Sequence, residues 1–518
     1  MNFQNPFFFL FFLVILCLHY GLPREKRWIV LLVGSLVFYL SLGVYYLLIP
    51  LALVILISFW TGKQIHRSGE GVAGRNWFIL GAGVNVLILV FFRFYPLVAA
   101  RWMHPGSHAP VIAAFGVSFY VFQAISYLAD IYLGKIEPEA HLGYFSLYIA
   151  FFPKILQGPI ERGKDLLPQL HDLGDFDYEN ARAGAIQFTY GLFKKVAVAD
   201  RLGGLVDPIY GNVSQSSGLA LLFATFIYAF QLYYDFSGYN DMALGIARVF
   251  NIRLTNNFNL PYLATSIAEF WRRWHISFSR WIMDYLFKPI QLSLRKWGIW
   301  GGVVAILITF LLSGLWHGAS AGFIIWGLLQ GIYLSVDMLY SPLRKKLYRK
   351  LKLENSPLAK AWQVFLTFNL VSFAWIFFRA SNISDAIAIV KKILPWRIWS
   401  SPEGICLVTG TRQISHALLQ GGDVNKVLTK LGHNVCQTLP AQFSFFPDPF
   451  HDQNVLITVA AVFLVFWIGV FGKRMRLSQK PALVRWIVYL SMILFILAAG
   501  LFLRAYNPGA APYLYFKF

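Results

Sequence analysis

Apolar runs as long as a bilayer is thick constrain this chain more than any other feature. WIVLLVGSLVFYLSLGVYYLL (28–48) and WIVYLSMILFILAAGLFL (486–503) approach or reach that length, and a helix needs roughly 20 such residues to cross the hydrocarbon. The 518 residues are 57% hydrophobic and 13% charged, against about 25% charged in soluble domains. A string of soluble domains is excluded, and an all-α polytopic membrane protein is expected.

Spans are expected near 7–22, 28–48, 50–61, 77–95, 111–133, 183–200, 218–246, 299–316, 320–340, 360–379, 455–471 and 484–503, about 12 in all. The basic loops PREKR (23–27), GKQIHRSGEGVAGR (62–75), SPLRKKLYRKLK (341–352) and GKRMRLSQKPALVR (472–485) then share one side, which the positive-inside rule makes the cytoplasm. Both termini are expected outside, in a multi-pass membrane protein. Most of the net charge of +21 is thereby absorbed by topology, and a nucleic-acid partner is not expected. PFFFLFFLVILCLHY meets PREKR rather than a small-residue cleavage site, so it is read as a retained span. Cys17, Cys406 and Cys436 have no ligand spacing, and neither a disulfide framework nor a metal site is expected. No internal repeat is visible, which disfavours inverted-repeat transporters.

Two segments fit neither span nor loop. YFSLYIAFFPKILQGPIERGKDLLPQL (144–170) starts apolar, but Pro153, Gly158 and Pro159 stop a helix before it can cross. The stretch from NFNLPYLATSIAEF through WRRWHISFSRWIMD to LFKPI alternates aromatic rings with charge. Irregular or charged backbone at membrane depth survives only where protein or a watery cavity surrounds it. Both are candidate re-entrant or interfacial pieces lining a site, near 144–170 and 257–292. The expected organisation is N-terminal helices (1–134), a core with both broken segments (135–380), an extracytoplasmic loop region (381–454) and a two-helix end with an aromatic tail (455–518).

His317, in SGLWHGAS at the end of an apolar run, is the first candidate for chemistry. Imidazole can take a hydroxyl proton near neutral pH, so it suits a general base; the bland alternative is a hydrogen-bonded bundle histidine. His275 lies where Glu269 could pair with Arg272 and Arg273 on a helix, with Ser279 one turn on. An interfacial helix with snorkelling arginines explains that pattern as well as a site does. Arg272, Arg273, Arg280 and Lys288 could instead hold the phosphates of an anionic cytoplasmic donor. Asp235 and Asp241, late in an apolar run, are costly unless paired, and structural pairing is the preferred role over catalysis. The tail PYLYFKF reads as an interface anchor, although the Tyr515 phenol could carry an acyl group.

Six stretches resemble the alginate O-acetyltransferase branch of the membrane-bound O-acyltransferase superfamily: FFPKILQGPIERGKDLLPQL, YGLFKKVAVADRL, FQLYYDFSGYNDMALGIARVFNI, NFNLPYLATSIAEFWRRWHISFSRWIMDYLFKPI, LSGLWHGASAGFIIWG and FAWIFFRA. The resemblance implies a helical shell around a tunnel, His317 as catalytic base and His275 as the second active-site residue. It also implies an acyl group moved from a cytoplasmic donor, acetyl-CoA, to an exported polysaccharide or cell-envelope polymer, with a separate extracytoplasmic acyltransferase as partner. No bound cofactor is expected beyond that donor. PYLYFKF is similar to an aromatic motif with a tyrosine acyl carrier in the related teichoic-acid system, which raises Tyr515 as a relay. YLFKPIQLSLRKWG departs from the family in lacking a glycine-rich turn after its proline. A polysaccharide transporter or flippase and a non-catalytic scaffold are the rival readings.

Overall fold

A computed structural model describes residues 2–69, 71–102, 116–318, 320–354, 356–399 and 490 of the chain. Among the described residues every regular element is helical. The first part carries α1 (Pro6–Gly21), α2 (Arg27–Leu40), α3 (Leu48–Ser68), α4 (Val72–Trp102) and α5 (Val117–Tyr132). Two short helices, α6 (Leu142–Ala150) and α7 (Gly163–His171), bracket the first broken segment, and α8 (Tyr178–Phe193), α9 (Asp200–Gly211) and α10 (Gly218–Val249) follow. The second broken segment carries α11 (Ile267–Arg273), α12 (Ile276–Ile282) and α13 (Lys288–Ser293). After it come α14 (Ile299–His317), α15 (Ala321–Lys350), α16 (Pro357–Arg379), α17 (Ile383–Lys392) and α18 (Pro395–Trp399).

Six stretches among the described residues are long and apolar enough to cross a membrane: Tyr45–Ser68, Val72–Phe92, Gly218–Val249, Ile299–His317, Ala321–Lys350 and Pro357–Arg379. The expected count of 12 is therefore not reached here, and the spans expected at 455–471 and, apart from Leu490, at 484–503 lie outside the described residues. The run 28–48 is divided, because α2 ends at Leu40 and Gly43 turns the chain at φ +78° before α3 begins. The stretch expected as a basic loop at 341–352 is helical to Lys350. Of the region 381–454, the described start is helical and packs Ala386 and Ile389 into the core.

Local chemistry explains where several helices start. Asn5 accepts from the Phe7 amide ahead of α1, with Pro6 in the first turn, and Asp177 accepts from Glu179 and Asn180 ahead of α8. Ser217 and Ser356 cap α10 and α16 in the same way. Each cap satisfies amides that a helix start leaves without partners.

A long antiparallel pair forms the centre. α8 and α9, joined by the π-helical stretch Lys194–Ala199, run back along α10. Glycines let the backbones touch: a Cβ at Gly184 or Gly191 would lie 2.5 Å from the carbonyl oxygen of Gly245 or Gly238. Close approach through small residues is the usual way membrane helices associate. The hairpin of α14 and α15 uses Gly314 and Gly327 likewise.

The ends of this pair define two ends of the molecule. At one, Tyr20 donates to the Val249 carbonyl at 2.8 Å, Arg24 pairs with Asp175, and Lys63 donates to the Ala140 carbonyl at 3.1 Å. At the other, Arg379 pairs with Asp207 at 2.5 Å and Lys392 donates to the carbonyls of Val213, Ser214 and Ser216. Because α16 finishes at this second end, its start and the basic end of α15 lie with Arg24 and Lys63. Three of the four basic segments thus share one end, and the fourth, 472–485, lies outside the described residues.

Candidate active site

Residues 151–162, between α6 and α7, have no regular structure, yet 151–161 are all buried. The backbone polar groups there find specific partners. Phe152 donates to Ser35 Oγ at 3.0 Å, Gly158 to the Lys154 carbonyl at 2.9 Å, and Ile160 to Ser277 Oγ at 3.0 Å. Glu161, also buried, accepts from the Thr255 amide at 2.5 Å and its hydroxyl at 3.0 Å. Enclosure in protein is one of the two settings in which irregular backbone is stable inside a membrane protein.

The second segment is held against the first by Ser277. Its hydroxyl accepts from Ile160, while its own amide donates to Asn257 Oδ1 at 2.9 Å and the Ile276 amide donates to the Asn257 carbonyl at 3.0 Å. Between α11 and α12 the chain breaks at His275, whose φ of +43° and ψ of +56° are left-handed. The stretch around His275 is therefore not one continuous helix. A non-glycine residue in this region is uncommon and worth a functional question.

That turn buries the His275 ring, 2% exposed, against Phe236 edge-on at 4.8 Å and Phe278 at 5.1 Å. His317 closes α14, buried against Trp326 at 5.0 Å and Phe378 at 4.9 Å. The two histidines are joined by one aromatic series. Phe278 stacks on Trp316 at 4.6 Å, and Trp316 lies 4.4 Å from the His317 ring. The two motifs, some forty residues apart in sequence, are thus brought together through the Phe278–Trp316 contact.

The remaining expected residues divide into those with partners and those facing outward. Glu269 pairs with Arg273 at 2.7 Å and accepts from both the amide and hydroxyl of Thr265. Arg273 also donates to the Asn259 carbonyl, which leaves little of its fork for a donor. Lys288 is held by Asp284 at 2.8 Å. Arg272 and Arg280 are exposed and make no ion pair among the described residues. The Ser279 hydroxyl donates to the Trp274 carbonyl at 3.0 Å, and its amide to the His275 carbonyl at 2.9 Å. Asp241 pairs with Lys194 at 2.6 Å, and Asp235 with Lys195 at 2.7 Å, where Asp200 joins at 2.6 Å. Both aspartates thus face lysines from the π-helical stretch rather than a histidine. Tyr515 lies outside the described residues.

Several neighbours escape a reading of local sequence. Lys154, buried, donates to Gln123 Oε1 at 2.5 Å and the Ile149 carbonyl at 3.2 Å. Gln157 and Asn257, both within 1% of complete burial, stand in the two broken segments. Their signal was a polar residue beside Gly158 and in LTNNFN, neither of which is distinctive by itself. A separate aromatic groove of about 500 Å³, lined by Tyr190, Tyr233, Tyr262, Phe365 and Phe368, contains neither histidine. Among the described residues, no three His, Cys, Asp or Glu side chains converge as a metal site.

Residues 139–381, which hold both broken segments and both histidines, match the model of the MBOAT, membrane-bound O-acyltransferase family. The chain is 34% identical over 410 residues to a probable alginate O-acetylase AlgI of Pseudomonas aeruginosa, covering 77% of this chain and 76% of that one. It is 34% identical over 428 residues to the peptidoglycan O-acetyltransferase of Helicobacter pylori, covering 75% and 79%. At 25% identity over 398 residues it also resembles the teichoic acid D-alanyltransferase of Streptococcus thermophilus, covering 72% and 94%. With relatives at this identity over three quarters of its length, the chain belongs to the membrane-bound O-acyltransferase family.

Proposed function

We propose that this O-acyltransferase moves an acetyl group from acetyl-CoA on the cytoplasmic side to a hydroxyl beyond the membrane, for O-acetylation of an exported polysaccharide or cell-envelope polymer. Family membership supports the enzyme reading over a transporter or a scaffold. The names of the relatives, which concern alginate and peptidoglycan, support the acceptor class. The observation that carries the proposal is the convergence of His275 and His317 on the Phe278–Trp316 contact, where the helix break at His275 is held against the enclosed non-helical segment 151–162 by Ser277.

In this reading His317 takes the proton of the incoming hydroxyl, whose oxygen attacks the acyl carbon, and returns it to the departing thiolate. His275, fixed in its left-handed turn, orients the groups of the tetrahedral intermediate. Arg272 and Arg280 stay free to meet the donor's phosphates, whereas Arg273 and Lys288 hold the segment together. The basic end is cytoplasmic, both termini lie outside in the inner membrane, and an extracytoplasmic acyltransferase receives the acetyl group, with Tyr515 as the relay. The test is the ester content of the envelope polymers in cells that carry the intact protein or its His317→Ala form at equal abundance. Loss of ester with His317→Ala is expected; an unchanged ester content rejects the assignment.

A further inference from the structure

The neighbourhood of His275 holds polar side chains that are sealed from solvent yet have unspent hydrogen-bonding groups. Gln157 is 1% exposed, and neither its Nε2 nor its Oε1 has a partner among the described residues. Asn257 is fully buried with Nδ2 unpartnered, and Ser237 Oγ and Asn240 Oδ1 on α10 are in the same condition. A buried amide or hydroxyl left unpaired is costly, so folded proteins seldom leave several together.

These groups belong to one place. Asn257 accepts from the Ser277 amide, two residues past His275, and Ser277 Oγ accepts from Ile160, three residues past Gln157. The Tyr239 hydroxyl lies against the Gln157 backbone amide, and Asn240 on the same helix donates to Asn256 at 3.4 Å. Phe236, one residue before Ser237, is the ring edge-on to His275. The Ser277 amide can only donate, so it fixes the oxygen of Asn257 on its side and leaves the NH2 as the unspent group. At Gln157 both ends are unspent, so an amide group is available whichever way it is turned.

We propose that the Gln157 and Asn257 side-chain amides are the donors that stabilise the developing oxyanion of the acyl group during transfer. The inference rests on the acyl-transfer reading. As the acceptor oxygen bonds to the acyl carbon, its proton passes to His317 and the carbonyl electron pair moves onto the carbonyl oxygen, where the two NH2 groups meet it. When that pair falls back, the bond to the donor's sulfur breaks and the thiolate leaves with the proton from His317. Donors already in place in a dry site need no reorganisation at that moment, and removing one from an oxyanion hole typically lowers kcat about 10²–10³-fold.

Two variants isolate the effect in the full-length protein, reconstituted in proteoliposomes with acetyl-CoA and an oligosaccharide acceptor. Gln157→Met keeps the length of the side chain and removes its polar atoms; Asn257→Asp keeps the oxygen that holds the Ser277 amide and removes the NH2. The expected result is a fall in kcat of about 100-fold for either, with KM for acetyl-CoA unchanged and, for Gln157→Met, an equal or higher melting temperature. A transition-state contact acts on kcat in this way, whereas ground-state binding acts on KM. Gln157→Met at wild-type kcat, or with KM alone raised, overturns the proposal while leaving the acyl-transfer reading intact. No transfer by the wild type, or full transfer by His317→Ala, overturns that reading and this inference with it.

Discussion

Two buried polar regions of this molecule differ in what they hold: paired charges in one, amides with unspent groups in the other. Between α8, α9 and α10, Lys194 and Lys195 are each neutralised by a carboxylate within 2.7 Å, and Asp200 gives Lys195 a second one. Around the two broken segments, Gln157, Asn257, Ser237 and Asn240 are just as buried, yet part of their hydrogen-bonding capacity is unspent among the described residues. The difference teaches how to separate scaffolding from chemistry in one membrane-embedded fold. Each buried lysine there is closed off by carboxylates, because an unpaired charge costs several kcal/mol, although Asp235 Oδ2 and Gln231 Oε1 on α10 have no hydrogen-bond partner among the described residues. In the proposed reading, the amides beside the broken segments are left ready for something that enters.

The sharpest way to break this contrast is Lys195→Met. It strands Asp235 and Asp200 and should destabilise the protein by about 3–5 kcal/mol, seen as a large fall in melting temperature in detergent. Adding Asp235→Asn should recover part of the loss; if Lys195→Met alone leaves stability unchanged, the paired region is not scaffolding. Next in size is Ser277→Ala, which orphans the buried Ile160 amide and separates the two broken segments. A loss of about 1–3 kcal/mol is expected, together with slower acyl transfer. Gln157→Met should cost no stability, because it removes polar atoms that have no partner, and a clear drop in melting temperature would place Gln157 with the scaffold instead.

The smallest effect concerns pH at the exposed end. The hydrogen bond and charge of Arg24 hold the Asp175 carboxyl below the usual carboxylate range. A lowered folded-state value means that the stabilisation is present above the unfolded carboxylate pKa and disappears as pH falls through the folded one. Acidification should therefore narrow the difference in melting temperature between wild type and Asp175→Asn. Both side chains are more than half exposed, so the difference should be small and shrink with salt.

The sequence makes the class, the broken segments and the two histidines legible, because each rests on a local pattern. Apolar runs become helices such as Gly218–Val249 and Pro357–Arg379, and Pro153, Gly158 and Pro159 end α6 where a span would otherwise continue. What escapes is what arises between distant residues. Glu269 and its two arginines suggest one helix, but the left-handed His275 ends it, a geometry fixed by Asn257 eighteen positions upstream. Arg273 and Lys288 look like free donor ligands until Glu269 and Asp284 are seen beside them. Gln157 looks like an ordinary turn residue, because nothing local says that it is sealed from water.

The most direct measurement of the central claim is release of free CoA from acetyl-CoA by the full-length protein in proteoliposomes with a hydroxyl acceptor, comparing wild type with His317→Ala. If the His275–His317 neighbourhood is an acyl-transfer site, wild type releases CoA in step with new ester. His317→Ala, at equal abundance and melting temperature, should then be slower by about 10²–10⁴-fold, the range for a general base. Equal release by the two proteins would contradict the account.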